Sequence, residues 1–397
     1  MLRAGVGVSI SHNPRTAALE ACAAAMTQAG IAQATGAIFF ATTAHGGAFP
    51  LILRTVGEQT KTREVVGCST TGVIASETEV ENGPALSVLV FGGDEIHAKR
   101  IFVPSLRGRA REVASELAAA AKPALGRTNL LCVLADTYNM NADPFLAALE
   151  AELPGVVIVG GGASEDGSIG ETFQFCGDTV SSNSVSAMLL SGDFDLNIGA
   201  SLACTQIGPM HRVTQVRDNI VITLDDRPAY EVFEEAAGPL TEDLRRALAF
   251  VFLGIPLDEN PPPRLERGRF IVRNIVGASE EHGVIAVAHY PKVGDAVGLV
   301  LRNAERARDD LKATLEQMSA RATRPASFGL YFDCVSRGSG LYNIPGHDAA
   351  YIRQYLGEVP VAGFFTGFEI GPLGDATGLL QYSGVLALIS EKKTLTS

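Results

Sequence analysis

The strongest constraint in this chain is that it writes one supersecondary unit three times. Residues 6–29 ("VGVSISHNPRTAALEACAAAMTQA"), 101–121 ("IFVPSLRGRAREVASELAAAA") and 297–318 ("VGLVLRNAERARDDLKATLEQM") each read as a short apolar strand, a polar stop and a helix. Asn13 or Ser11, Ser105 and Asn303 stand where a helix N-cap belongs. A buried-looking strand follows each helix: "AIFF" ending at Phe40, "LLCVL" around Val133 and "FGLYF" ending at Phe332. A loop, a second helix and an apolar run ending in glycine come next, at Gly67, Gly160 and Gly363. Phe40 to Val66 and Val133 to Val159 each span 26 residues, and Phe332 to Ala362 spans 30, the longer loop "SRGSGLYNIPG" absorbing the difference. Each copy ends with a Gly-rich polar turn and a final strand, "ALSVLVF", "SVSAMLL" or "GVLALIS".

This pattern predicts an α/β fold of repeated β-α-β-α-β units forming mixed sheets, two-lobed, with pseudo-repeats. Residues 1–230 would hold two copies, near 1–95 and 96–193, plus strands; residues 231–397 would hold the third, near 290–390. The stretch 194–290 fits the unit less well. "DLNIGASLACTQ", "HRVTQVRDNIVITLDD" and "RFIVRNIVGASEEHGVIAVAHY" read as strands, "PAYEVFEEAAG" as a helix and "GIPLDENPPPRLERG" as a Pro-rich surface connection.

A net charge of −12 with no basic run argues against nucleic acid as a partner. No window of 18 uninterrupted apolar residues implies membrane insertion, and the N-terminal apolar stretch is too short for a signal peptide. Six cysteines without a C-x-x-C pair fit a reducing, cytoplasmic setting better than a disulfide or zinc framework. The histidines show no His-x-x-x-His spacing, so no metal is expected; a haem axial ligand has no motif to look for, and His45 and His347 fall in loops.

In α/β sheets ligands bind beyond the carboxyl ends of the strands, and the three glycine-led turns fall there. In the first, "VVGCSTTG", Gly67 and Gly72 bracket Cys68, Ser69, Thr70 and Thr71, with either ligand contacts or local turn bonds as their role. The second, "VGGGASEDG", offers Gly161 and Gly162 for close backbone approach, but no lysine follows to make a Walker A loop. In the third, "AGFFTGFEIGP", Phe365 would wall a pocket with Thr366 and Glu369 as polar contacts, Glu369 suiting an amine. "FDCVSRG" sets Asp333, Cys334 and Arg337 on one loop: Arg337 either clamps a ligand carboxylate or pairs with Asp333. Cys68 or Ser69 as a hydrolase nucleophile would need a base within reach, and no G-x-S-x-G or S-x-x-K motif is present, so no catalytic residue is assigned.

Taken in order, "VVGCSTTGVI", "VIVGGGAS", "RPAYEVF", "FDCVSRG" and "AGFFTGFEIGP" resemble the FIST sensory domain, N- and C-terminal regions together, over nearly the whole chain. The resemblance implies a signal-input module for small ligands such as amino acids, without catalytic residues. Some members are described as haem-binding nitric-oxide sensors acting on a histidine kinase or a cyclic-di-GMP enzyme. Matched by position, the motif residues are the turn after Gly67, Cys334, Arg337 and Glu369. Phe368 replaces the glycine expected before the glutamate, which leaves the direction of Glu369 open. With no output domain expected, a signal would pass to a separate partner.

Overall fold

The computed structural model describes residues 1–258, 260 and 263–392. The first unit runs β1 (Arg3–Ser9), α1 (Pro14–Ala29), β2 (Gly36–Thr42), α2 (Phe49–Thr60), β3 (Val65–Thr70), a hairpin β4 (Gly72–Ala75) and β5 (Thr78–Glu81), then β6 (Leu86–Gly92). The second repeats that order: β7 (Ile96–Pro104), α3 (Ala110–Ala121), β8 (Thr128–Ala135), α4 (Ala142–Glu152), β9 (Val157–Gly162), hairpin β10 (Gln174–Cys176) and β11 (Thr179–Ser181), and β12 (Ser184–Gly192).

The third unit opens with β13 (Phe194–Leu202) and is then interrupted. The interruption comprises β14 (Cys204–Arg217), β15 (Ile220–Leu224), β16 (Arg227–Pro228), α5 (Ala229–Ala237), α6 (Leu244–Phe250), β17 (Val251–Pro256), β18 (Phe270–Ser279), β19 (Val284–Val287) and β20 (Ala296–Arg302). The unit resumes with α7 (Ala304–Arg321), β21 (Phe328–Cys334), α8 (Gly338–Tyr342), α9 (His347–Leu356), β22 (Val361–Thr366), hairpin β23 (Glu369–Leu373) and β24 (Ala376–Leu380), and β25 (Ser383–Glu391).

In each unit the middle strands are parallel (β2–β3, β8–β9, β21–β22) and the first and last are antiparallel, so the sheets are mixed. The hairpins do not fold back on their own sheets. The second unit's β10 pairs with β3, the third's β23 with β9, and the first's β4 with β22. Three six-stranded sheets result, each completed by a neighbour in a closed ring. Their inner faces meet in one core around Phe40, Cys132, Phe332 and Phe364, with Phe40 stacked on Phe364 at 4.5 Å. Their outer faces bury Phe39, Val133 and Tyr331 against the helices.

The repeated glycine follows from this geometry. Gly67, Gly160 and Gly363 lie inside strands, in parallel register with Phe39, Val133 and Tyr331. A Cβ at any of the three would fall on the carbonyl oxygen of that partner. The glycine is therefore there for strand-to-strand approach and not to open a turn, as the sequence had suggested.

Two further expectations change. The strand at 296–302 does not begin the third unit: β20 pairs with β14 and β17, and β13 takes the place against β25. Strand periodicity does not say which sheet a strand joins. The interrupting strands β14, β20, β17, β18, β19 and β15 close through the β14–β15 pairing into a small antiparallel barrel around Val213, Phe233, Leu253 and Leu299. The Pro-rich connection expected over 254–268 lies partly outside the described residues. Asn13 and Asn303 do cap α1 and α7, accepting from Thr16 N and Arg306 N at 3.0 Å. Ser105 does not cap α3; it takes a left-handed φ of 61°, and the helix starts at Ala110.

Gly67→Ala should destabilise the fold by about 3 kcal/mol in urea unfolding, because the rigid carbonyl cannot yield. Gly83→Ala, with open space around the added methyl, should stay within about 0.5 kcal/mol of the parent.

Candidate functional site

The polar stretch Cys68–Thr70 is the end of β3 and not a loop. Its backbone is held by β2 on one side and β10 on the other, so its N–H groups are not free for an anion. Gly161 and Gly162 are likewise inside β9, and Phe365 and Thr366 inside β22.

The three strand ends do converge. Thr70 Oγ1 donates to the Phe365 carbonyl at 3.0 Å and lies 3.3 Å from Ser164 Oγ. Ser164 Oγ bonds the same carbonyl and accepts from Thr71 N at 3.1 Å. Gly367 N donates to Gly162 O, and Ser164 N to Ser69 O. One residue from each unit thus meets at a buried polar centre, and the expected common corner is filled by contacts among its own members.

Strand register makes Val73, Gln174 and Glu369 equivalent: they pair with Phe364, Cys68 and Gly161, each the residue after the repeated glycine. In the second unit Ser184 Oγ donates to Gln174 Oε1 at 2.9 Å. In the third, Ser383 Oγ donates to Glu369 Oε2 at 2.6 Å and Thr366 Oγ1 to Oε1 at 2.5 Å. The first unit has Val73 and Ala85, both buried. Glu369 therefore points inward despite Phe368, and both its oxygens are engaged. Burial pushes its carboxyl up to about 7 against the opposing hydroxyl bonds.

A second group lies on the outer face of the third sheet, beneath α8 and α9. Alternation along β21 turns Tyr331 and Asp333 to this face and Phe332 to the core. Arg337, fully buried, sets Nε 2.7 Å from Asp333 Oδ1, and its Nη2 donates to Asp348 Oδ2 at 2.6 Å and Tyr342 Oη at 2.9 Å. Tyr331 Oη donates to Asp348 Oδ2 at 2.7 Å. His347 accepts from Arg308 Nε at 3.2 Å, so its Nδ1 carries the proton donated to Asp348 Oδ1 at 3.0 Å. Burial alone would raise Asp348, but Arg337 and the bonds from His347 and Tyr331 hold it below the usual carboxylate range. Burial, then the Asp348 charge, pushes Asp333 well above that range. Of the two carboxyls on Arg337, Asp348 therefore holds its charge the more readily and Asp333 resists ionising.

The first unit's hairpin locks this group from outside. Glu79 Oε1 accepts from Ala349 N at 2.7 Å, and Glu81 Oε1 from Ser339 N at 2.9 Å, so two residues of β5 cap helices of another unit. Burial, then Asp348, pushes Glu79 up to about 7. Three buried atoms here have no hydrogen-bond partner among the described residues: Arg337 Nη1, Asp333 Oδ2 and Glu79 Oε2.

The residues singled out from sequence therefore fall into two clusters. Thr70, Thr71, Thr366 and Glu369 belong to the axial one; Asp333 and Arg337 belong to the sheet–helix one. Phe365 packs in the third unit's outer core and Cys334 in the central one. Cys68 is fully buried and burial pushes its thiol well up, the reverse of what a nucleophile needs. Ser69 Oγ accepts from Phe173 N at 3.0 Å. His347 is stacked between Tyr342 and Tyr351 with both ring nitrogens engaged. His45 keeps two ring nitrogens unpartnered among the described residues, but none of the described cavities is lined by it; neither of these two loop histidines fits a haem axial ligand. Sequence reading missed Asp348, Tyr331, Tyr342 and Glu79. Tyr331 was readable as the same-face neighbour of Asp333; Glu79 was not, since it arrives from another unit.

Asp348→Ala, which strands a buried guanidinium, should cost about 3–5 kcal/mol of stability in denaturant unfolding. Glu369 has a folded-state pKa above its unfolded one, so the native state binds the extra proton and stability falls as pH rises from about 4.5 to 7. Glu369→Gln, copying Gln174, should fold and remove a decline on the order of 3 kcal/mol over that window, read from unfolding at pH 5 and pH 8.

The FIST N domain matches residues 36–227 and the FIST C domain residues 229–372. An uncharacterised protein of Mycobacterium tuberculosis is 28% identical over 391 residues, covering 98% of this chain and 99% of its own. One of Mycobacterium bovis is 28% identical over 389 residues, covering 98% of each. Among solved structures, a cyanuric acid hydrolase from A. caulinodans aligns over 99% of this chain and 100% of its own, at 11% identity and a TM-score of 0.36. With both domains matched in order over most of its length, the chain belongs to the FIST family of sensory, signal-transduction domains.

Proposed function

We propose that this chain is a sensory module for a small amino-acid-like ligand, received at the Arg337 cluster and reported to a separate partner protein. The observation that carries the reading is the pair of buried atoms without partners on two touching side chains, Arg337 Nη1 and Asp333 Oδ2. Buried polar groups are nearly always satisfied, so two unsatisfied ones side by side call for a group to complete them. A guanidinium N–H suits a carboxylate; an arriving ammonium favours the ionised form of the Asp333 carboxyl, whose proton leaves to solvent, and so suits the other end of a zwitterion. The amine contact thereby passes from Glu369, whose oxygens are taken, to Asp333.

Access requires the segment 335–346 to lift. It carries left-handed residues at Gly338, Asn343 and Gly346, and it presents Val335 and Ile344 to solvent at 43% and 49% exposure. Binding would shift the balance between lifted and seated forms, and those two side chains give a partner something to read. A histidine kinase or a cyclic-di-GMP enzyme is the partner class that the family resemblance implies.

A thermal-shift screen of the purified chain against amino acids, carboxylates lacking the amine and amines lacking the carboxylate tests the reading. A zwitterion at about 100 times its Kd should stabilise by roughly 2.7 kcal/mol, with neither half-analogue matching it. Asp333→Asn, near-isosteric with the protonated acid, should fold and lose the response, as should Arg337→Lys. A response unchanged in both variants, or none to any zwitterion, counts against it.

A further inference from the structure

We propose a second ligand site, independent of the Arg337 cluster, at the junction of the first and second units: a pocket for a small oxyanion bearing phosphate or carboxylate groups. The pocket, about 500 Å³, lies between α2, the start of β3, β7 and the β10–β11 turn. Arg54 comes from α2, Arg63 from the approach to β3 and Arg100 from β7. Among the described residues none of these three side chains forms an ion pair, although the chain carries a net charge of −12.

The repeat supplies an internal comparison. The β10–β11 turn at Gly177–Asp178 has counterparts at Ser76–Glu77 and Gly374–Asp375, each left-handed at its first residue, with φ of 63°, 50° and 62°. At the junction of the third and first units the depression is about 200 Å³, and its arginine, Arg353, is closed by Glu77 and Glu358. At the third turn Asp375 faces Arg269 at 3.7 Å. Where those two copies neutralise their arginine internally, the first–second junction gathers three and leaves them open. Glu58 and Asp178 line the same pocket without pairing with them, and Glu64 accepts from Arg100 N at 2.6 Å, so the three guanidinium groups themselves stay open to a ligand.

The Arg100 guanidinium lies against the turn. A side chain at position 177 would fall on its guanidinium, so Gly177 both permits the left-handed backbone and lets Arg100 lie across it. A guanidinium fork matches the paired oxygens of a carboxylate or phosphate, and the volume suits a small metabolite. A ligand there would touch both units at once and clamp them together.

Titration calorimetry with inorganic phosphate, pyrophosphate and citrate, against potassium chloride at equal ionic strength, tests the site; the phosphate and citrate arms tell the two oxyanion sources apart. At least one probe should bind beyond the chloride control. Arg54→Gln and Arg63→Gln, both exposed, should each weaken that binding roughly tenfold, with circular dichroism unchanged. Binding equal to the parent in both variants, or no probe exceeding chloride, overturns the proposal. The response of these variants to zwitterionic amino acids should be preserved, which separates failure here from failure at Arg337.

Discussion

Everything in this molecule rests on a sheet edge that its own unit leaves uncovered. Each parallel pair exposes one side of its second strand, and an exposed strand edge is a site for pairing with another chain. Here β3, β9 and β22 are covered by hairpins lent from β10, β23 and β4. Because the lending runs in a ring, no unit is complete without the other two. The lent hairpins tie the three units together at their strand ends, where residues as distant as Thr70, Ser164 and Phe365 bond directly.

That exchange also explains the placement of buried charge. Arg337, Asp333 and Asp348 sit between the third sheet and its helices, where an unpaired charge would be costly. Their lid includes Glu79 and Glu81 from the first unit, which satisfy the helix N–H groups of Ala349 and Ser339. The helices α8 and α9 therefore depend on a hairpin more than 250 positions earlier. The three copies have not kept the same chemistry: the equivalent positions Val73, Gln174 and Glu369 run from apolar to amide to acid, each with a matching partner in Ala85, Ser184 or Ser383.

Much of the fold was legible in the sequence because its periodicities are local. The three middle strands, their helices, the repeated glycine and the caps at Asn13 and Asn303 follow from residues close in the chain. The hairpin exchange does not, since a strand pattern records one buried face and not the identity of the neighbour. For the same reason "VGLVLR" read as the start of the third unit when it closes a barrel. At the candidate site, Asp333, Arg337 and Glu369 were readable as polar residues beside strand ends. Their partners Asp348 and Ser383 were not, and so one pocket was expected where two clusters exist.

The barrel enters the third unit after Leu202 and leaves before Asn303, with Cys204 and Arg302 paired across adjacent strands. Its two ends therefore stand side by side, and the host chain bridges the gap with almost no loop-closure entropy. Arg302 then stacks on Phe250 of the barrel at 4.7 Å and donates to the Ser336 carbonyl of the host at 3.1 Å. An insertion mounted on so narrow a stalk can tilt on the threefold body without disturbing the sheets beneath, and through Arg302 any such tilt is felt directly at the residue beside Arg337.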